Sequence, residues 1–214
     1  MEYFISATWI GIELLCSIFF CGAFLVQKEH SNIKVLTVVV VWIIIGLYSN
    51  LGINPLARQV ITVLLYMLIS SVLYKGSYVA HILLAIICYI FIAAIDTIAV
   101  NGMCALLRIS YTEFISRRLT YTVVTTMDKL VTCFAAWLLY QYRGKKNLAG
   151  IQNKWLLLSS LFPAVSAIMF VIFFYNLPNN EDAPVSIVGF SGILVIANIA
   201  MLYVNIGVQG VQTR

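Results

Sequence analysis

The chain has 214 residues, 62% of them hydrophobic and only 10% charged. Its mean hydropathy of +0.99 is more apolar surface than a soluble domain of this length can bury, which excludes the soluble classes and points to a multispanning membrane protein. In a soluble protein the net charge of +5 would point to nucleic acid; here it reads as Lys and Arg gathered at cytoplasmic membrane edges, with no nucleic-acid partner.

Only helices or a closed barrel can span lipid, and the apolar runs lack the alternation of barrel strands. The prediction is therefore an all-α polytopic membrane helix bundle of about seven transmembrane helices, six being the smaller count. The spans fall at 3–26, 35–53, 57–74, 78–106, 119–141, 154–176 and 185–206, forming one transmembrane domain over 1–206 with a cytoplasmic tail at 207–214. The opening Met-Glu-Tyr-Phe has neither a basic segment nor a cleavage site, so the first run is expected to be a retained helix. In it, Ala7 and Gly11 make a small-xxx-small step that could seat another helix. Tyr and Trp near many span ends (Tyr74, Tyr78, Tyr121 and Tyr140 among them) read as interfacial belts. The fourth span is long enough to tilt, and Pro163 should kink the sixth. Pro178 and Pro184 bracket the turn between the last two spans.

Orientation follows from the basic residues. With the N-terminus outside, inner segments hold Lys28, Lys34, Lys75, Arg143, Lys145, Lys146, Lys154 and Arg214, against Arg58, Arg108, Arg117 and Arg118 outside. Eight against four favours N-out, C-in, and puts Glu181 and Asp182 outside. The exception is the loop 107–118, which carries three arginines to the outer face. Arg108, Arg117 and Arg118 are candidate outer contacts for an anionic ligand, or anchors for lipid headgroups.

The charges inside the spans are the features that composition does not explain. A charge at the hydrocarbon centre costs at least about 2.5–3.5 kcal/mol on insertion scales, so it normally faces a partner, water or the bundle interior. Glu13 in the first span lies about ten residues, or ~15 Å, from the outer end. Asp96 in the fourth, and Asp128 and Lys129 in the fifth, lie at a similar depth. These four are expected to form one layer near the midplane, with Lys129 pairing with Asp96 or with Glu13. Asp128 and Lys129 are adjacent, project about 100° apart, and are not expected to point at one partner. The layer is either a clamp that fixes helix order or a working site for ligand binding, ion passage or switching.

Other chemistry is sparse. Cys16, Cys21, Cys88, Cys104 and Cys133 all lie in apolar runs without CxxC spacing, and read as small buried hydrophobes. His81 and Cys88 are two helical turns apart, which allows a Cys-His membrane peptidase, but their neighbours are uniformly Ile and Leu. His81 reads as an interfacial histidine and His30 as a solvated loop residue. No metal-ligand spacing, P-loop, GxGxxG or GxSxG occurs, so no cofactor, metal or catalytic residue is assigned.

Several stretches, in order, carry a resemblance. They are Leu-Tyr-Lys-Gly-Ser at 73–77, Asp96, Leu-Leu-Arg-Ile-Ser-Tyr-Thr-Glu-Phe at 106–114, and Asp-Lys-Leu at 128–130. Lys-Trp at 154–155, Phe-Pro-Ala-Val-Ser at 162–166 and Ala-Asn-Ile-Ala-Met-Leu-Tyr at 197–203 follow. Over about 70–206 the chain resembles the membrane sensor region of peptide-responsive, quorum-sensing bacterial histidine kinases of the GHKL type. The resemblance implies a receptor in the bacterial cytoplasmic membrane that detects an extracellular peptide pheromone and works as a homodimer. It also implies a two-component system, in which the last helix runs into a kinase region that addresses a response regulator. Residues 207–214 carry no phosphoacceptor histidine and no ATP-binding glycines, so this chain itself is expected not to be an enzyme and its tail to be the start of a kinase linker. The alternatives are the substrate-binding component of a vitamin-type membrane transporter and, second, the membrane peptidase.

Overall fold

The computed structural model describes residues 2–29, 31–49 and 55–141, together with 163, 165–166, 191–194, 196–201 and 204. These residues are mostly helical: α1 (Glu2–Phe24), α2 (Ser31–Ser49), α3 (Pro55–Leu73), α4 (Tyr78–Leu107), the short α5 (Tyr111–Ser116), α6 (Arg118–Gln141) and α7 (Ser191–Met201). Three of them, α1, α4 and α6, are long and apolar enough to cross a membrane, whereas α2, α3 and α7 contain shorter apolar segments. The first five predicted spans fall on α1, α2, α3, α4 and α6, and the seventh overlaps α7. The second starts four residues earlier than read from hydropathy, because the polar Ser31-Asn-Ile-Lys segment is already helical, and its predicted last residues, 50–53, lie outside the described residues. His30, the segment 142–154, the body of the sixth span and the turn 177–184 lie outside the described residues, as does the tail 207–214. Pro163 is helical and buried.

The helix ends explain how the elements are strung together. At one end, β1 (Val26–Gln27) pairs antiparallel with β2 (Tyr74–Lys75), Val26 opposite Lys75 and Gln27 opposite Tyr74. Lys28 extends the join: its N–H donates to the Leu73 carbonyl at 2.9 Å and its Nζ to the Ser71 carbonyl at 2.6 Å. These carbonyls lie in the last turn of α3, where intrahelical donors run out and a cation meets the negative end of the helix dipole. Ser77 then caps α4, its hydroxyl accepting from Ala80 N–H at 3.3 Å. Residues 25–29 and 74–77 therefore share one end of the bundle.

At the other end α4 stops in a Schellman turn. Arg108 takes the left-handed conformation (φ 52°, ψ 44°), and its N–H reaches Ala105 while Ile109 N–H reaches Cys104. Ser110 next caps α5 by accepting from Glu113 N–H at 3.2 Å. Phe114 is fully buried and packs edge-on against Tyr121 of α6. Chain reversal at this loop sends α6 back alongside α1, so that Trp9 lies beside Thr126, Cys16 beside Thr132 and Phe19 beside Tyr140.

Between apolar helices in lipid the hydrophobic effect supplies little attraction, so close packing and hydrogen bonds have to hold them. Close approach is visible at Gly22 of α1, where a Cβ would sit 2.9 Å from both the Tyr140 ring and the Tyr74 hydroxyl. That hydroxyl donates to the Ile18 carbonyl at 2.7 Å, so Tyr74 is a buried bolt rather than the interfacial tyrosine its position implied. The Ala7/Gly11 step seats α2: the Trp42 indole donates to the Ala7 carbonyl at 2.9 Å and lies over Gly11. Phe20, Phe24 and Phe91 fill the centre of the apolar core.

Candidate functional site

Helix α6 is amphipathic in an inverted sense. Its buried stripe, at helical spacing, is Thr125, Asp128, Lys129, Thr132 and Ala136, while Val123, Met127, Leu130, Val131 and Phe134 are exposed. A water-soluble helix does the opposite. Polar groups turned inward and apolar groups turned outward is the arrangement lipid demands. Three of the helix's threonines bond locally: Thr122 and Thr126 beside the stripe and Thr132 within it each donate to the carbonyl four residues back. Thr126 also accepts from the Trp9 indole at 3.0 Å, tying α6 to α1 one turn above the charges.

The four predicted ionisable residues come together. Lys129 Nζ lies 2.7 Å from Glu13 Oε1 on α1 and donates a hydrogen bond to Asp96 Oδ2 on α4. One ammonium thus joins three helices. The sequence reading paired Lys129 with one acid or the other; the structure pairs it with both, which the three donors of an ammonium permit. Asp128, the chain neighbour of Lys129, is buried, and its Oδ1 has no hydrogen-bond partner.

The layer is not sealed evenly. Asp128 and Lys129 are 5% exposed, whereas the side chains of Asp96 and Glu13 retain 34% and 26% of their surface. The burial of α4 changes at the same depth: most of 80–92 is buried, while 95–100 is partly exposed throughout. On that half of α4 Thr97 donates to Ala93 and Asn101 to the Thr97 carbonyl, continuing a polar face toward Arg108. Thr125 Oγ1, Asp96 Oδ1 and Asp128 Oδ1 are buried without a hydrogen-bond partner, and so are Ser191 Oγ and Asn198 Oδ1 on α7.

The arginines do not join this layer. Arg108 forms the cap of α4, Arg117 is bound to Glu113 at 2.6 Å, and Arg118 begins α6, all three exposed at the same end of the bundle. His81 is buried rather than interfacial. Ser70 and His81 share a hydrogen bond, Oγ to Nδ1, of 2.8 Å, and the other ring nitrogen faces the Gly76 carbonyl. With Nε2–H directed at that carbonyl, Nδ1 is the acceptor and Ser70 the donor. Cys88 lies instead against the Cys16 thiol, so the two members of the proposed Cys-His dyad have separate partners. All five cysteines are free.

Sequence reasoning overlooked the threonine stripe and Trp9, although the i, i+3, i+4 recurrence at 122, 125, 126, 129 and 132 is visible once apolar residues are set aside. It also overlooked α5, signalled by Ser110-x-x-Glu113, a capping-box spacing. No protein-family model, curated protein or solved structure matches the chain.

Proposed function

We propose that the chain is a membrane signal receptor, a seven-span bundle with its N-terminus outside, that resembles the sensor domain of a peptide-responsive histidine kinase and detects an extracellular peptide. The observation that carries this reading is the Lys129 clamp. A single buried ammonium holds α1, α4 and α6 together where the well-packed half of α4 gives way to the partly exposed half. Interactions of this kind are discrete, made or broken, and suit a bundle with two packings whose populations a ligand shifts. The ligand would enter from the Arg108, Arg117 and Arg118 end, where an anionic group on a peptide finds exposed guanidinium partners. Its binding would favour one packing about Lys129, and α7 would pass the change to whatever follows it inside.

Two measurements test the proposal. The gene is read downstream of the codon for Arg214: an in-frame continuation into a phosphoacceptor helix and ATPase supports a sensor kinase, and a stop codon overturns that part of it. In a signalling strain, Lys129→Met is expected to insert normally and to shift the peptide dose response. An unchanged response would remove Lys129 from the switch. The rival reading, a substrate-binding subunit of a vitamin-type transporter, draws on the unpartnered oxygens near the layer, which a polar solute could satisfy. Co-purification of such a solute, or of an energising partner, would favour it.

A further inference from the structure

The elbow between α4 and α6 carries exposed apolar and basic side chains side by side. Leu106 is 78% exposed and Leu119 82%, and Tyr111 and Ile115 of α5 are exposed near Arg108 and Arg117. Water disfavours so much bare apolar surface, whereas aromatic, aliphatic and basic groups together suit a membrane–water interface. The apolar side is continuous with the outward face of α6: Leu119, Val123, Met127 and Leu130 recur three or four residues apart and all are exposed. Depth agrees with this placement. The 30 residues of α4 run about 45 Å, the thickness of a bilayer with its headgroups, so a helix that starts at one surface ends in the headgroup layer of the other. Arg108 stands there in the left-handed conformation, a position that helices usually give to Gly. The turn itself is better served without a Cβ. What arginine adds is its side chain, which is exposed and forms no ion pair with a described residue.

We propose that this elbow, residues 106–119, is a docking surface for anionic lipid headgroups, with Arg108 as its phosphate-binding residue. The apolar side chains seat the elbow at the edge of the hydrocarbon, and Phe114, fully buried, fixes α5 to the bundle beneath it. A guanidinium at that depth lays its apolar stem along the acyl chains and offers paired N–H donors to a phosphate. Arg117 is already held by Glu113 at 2.6 Å, and Arg118 begins α6. Three arginines against the one glutamate of the elbow leave a surplus of two positive charges, which favours an anionic lipid over a zwitterionic one. The inference rests on the bundle crossing a membrane and not on the receptor's ligand. A peptide that reaches these guanidiniums meets them at the lipid surface, in competition with phosphate.

The test places the full chain in nanodiscs of equal phosphatidylglycerol and phosphatidylcholine and counts the lipids it retains by native mass spectrometry. The wild type is expected to retain phosphatidylglycerol in preference. One basic side chain near an anionic surface is worth about fivefold, so Arg108→Gln should lower that preference about fivefold, while Arg108→Lys keeps most of it. If the Gln variant fails to fold, Arg108→Gly, whose backbone suits the turn, takes its place with the same expected loss. Equal retention of the two lipids by the wild type overturns the proposal and leaves the guanidiniums to a soluble ligand. A preference that survives both Arg108→Gln and Arg108→Gly overturns the role of Arg108. Failure of the membrane reading beneath it looks different: alkaline carbonate would then extract the wild-type chain from membranes.

Discussion

Replacing Lys129 by Met removes an ammonium that is 6% exposed and strands two carboxylates, Glu13 and Asp96, against α6. Deleting one partner of a buried ion pair costs about 3–5 kcal/mol, chiefly because the surviving charge is left uncompensated. Here the acids keep 26% and 34% of their side-chain surface, so solvent screening trims the figure toward the lower end, about 3 kcal/mol. For a chain of this size each kcal/mol moves a thermal midpoint by roughly 2–4 °C, which gives an expected fall of roughly 6–12 °C. The assay is the unfolding midpoint of the purified chain in detergent. It is run beside the triple variant Glu13→Gln, Asp96→Asn, Lys129→Met, in which every charge of the clamp is gone. Because the penalty comes from the orphaned acids and not from a lost attraction, the triple variant should recover most of what the single one loses. A Lys129→Met midpoint within about 2 °C of wild type would refute the clamp. A triple variant no better than the single one would refute its electrostatic origin.

Gly22→Ala should cost about 1–3 kcal/mol, since its Cβ meets the Tyr74 hydroxyl and Tyr140 ring at 2.9 Å; an unchanged unfolding midpoint would contradict this packing. In a variant retaining only Cys16 and Cys88, mild oxidation should abolish maleimide labelling of the denatured chain, because the two thiols are in contact, and persistent labelling of both would separate α1 from α4. Arg108→Gly should stabilise the α4–α5 turn by roughly 1 kcal/mol, by relieving a left-handed residue that carries a Cβ. If Arg108 also contacts the signal, the same variant melts higher yet responds less, a split that a purely structural residue would not give.

How much of this was legible beforehand varies with the physics involved. Helix positions were, because lipid imposes length and composition together: α1, α3, α4 and α6 fall within two residues or so of the apolar runs. The charge layer was legible by depth, since counting residues from a span end fixes height to within a turn. Its connectivity was not. Whether Lys129 meets one acid or two depends on how α1 and α4 rotate about their axes, and in nearly uniform apolar helices nothing in the hydropathy pattern specifies that rotation. Tyr74 illustrates the same gap. A tyrosine at a span end reads as an interfacial anchor, but Gly22 opens a notch beside it, and only the packed structure shows that ring and notch meet. The β1–β2 join escaped for a different reason: two-residue strands carry no period to detect.

The bundle's two halves are built by different means, and this bears on where a signal can act. At the end marked by β1 and β2, backbone pairing, the Lys28 contacts on the last turn of α3, the Tyr74 bolt and the Ser70–His81 hydrogen bond fasten α1, α3 and α4 together, and most of 80–92 is buried. Toward the arginine end, α1 and α6 are joined by the Trp9–Thr126 hydrogen bond, and 95–100 of α4 is partly exposed. Regions with fewer buried contacts open at lower free energy. The Lys129 clamp sits at the boundary, where a small rotation of α4 or α6 decides between making and breaking it. On the proposed receptor reading, a ligand acting on the looser half would have to shift only that boundary.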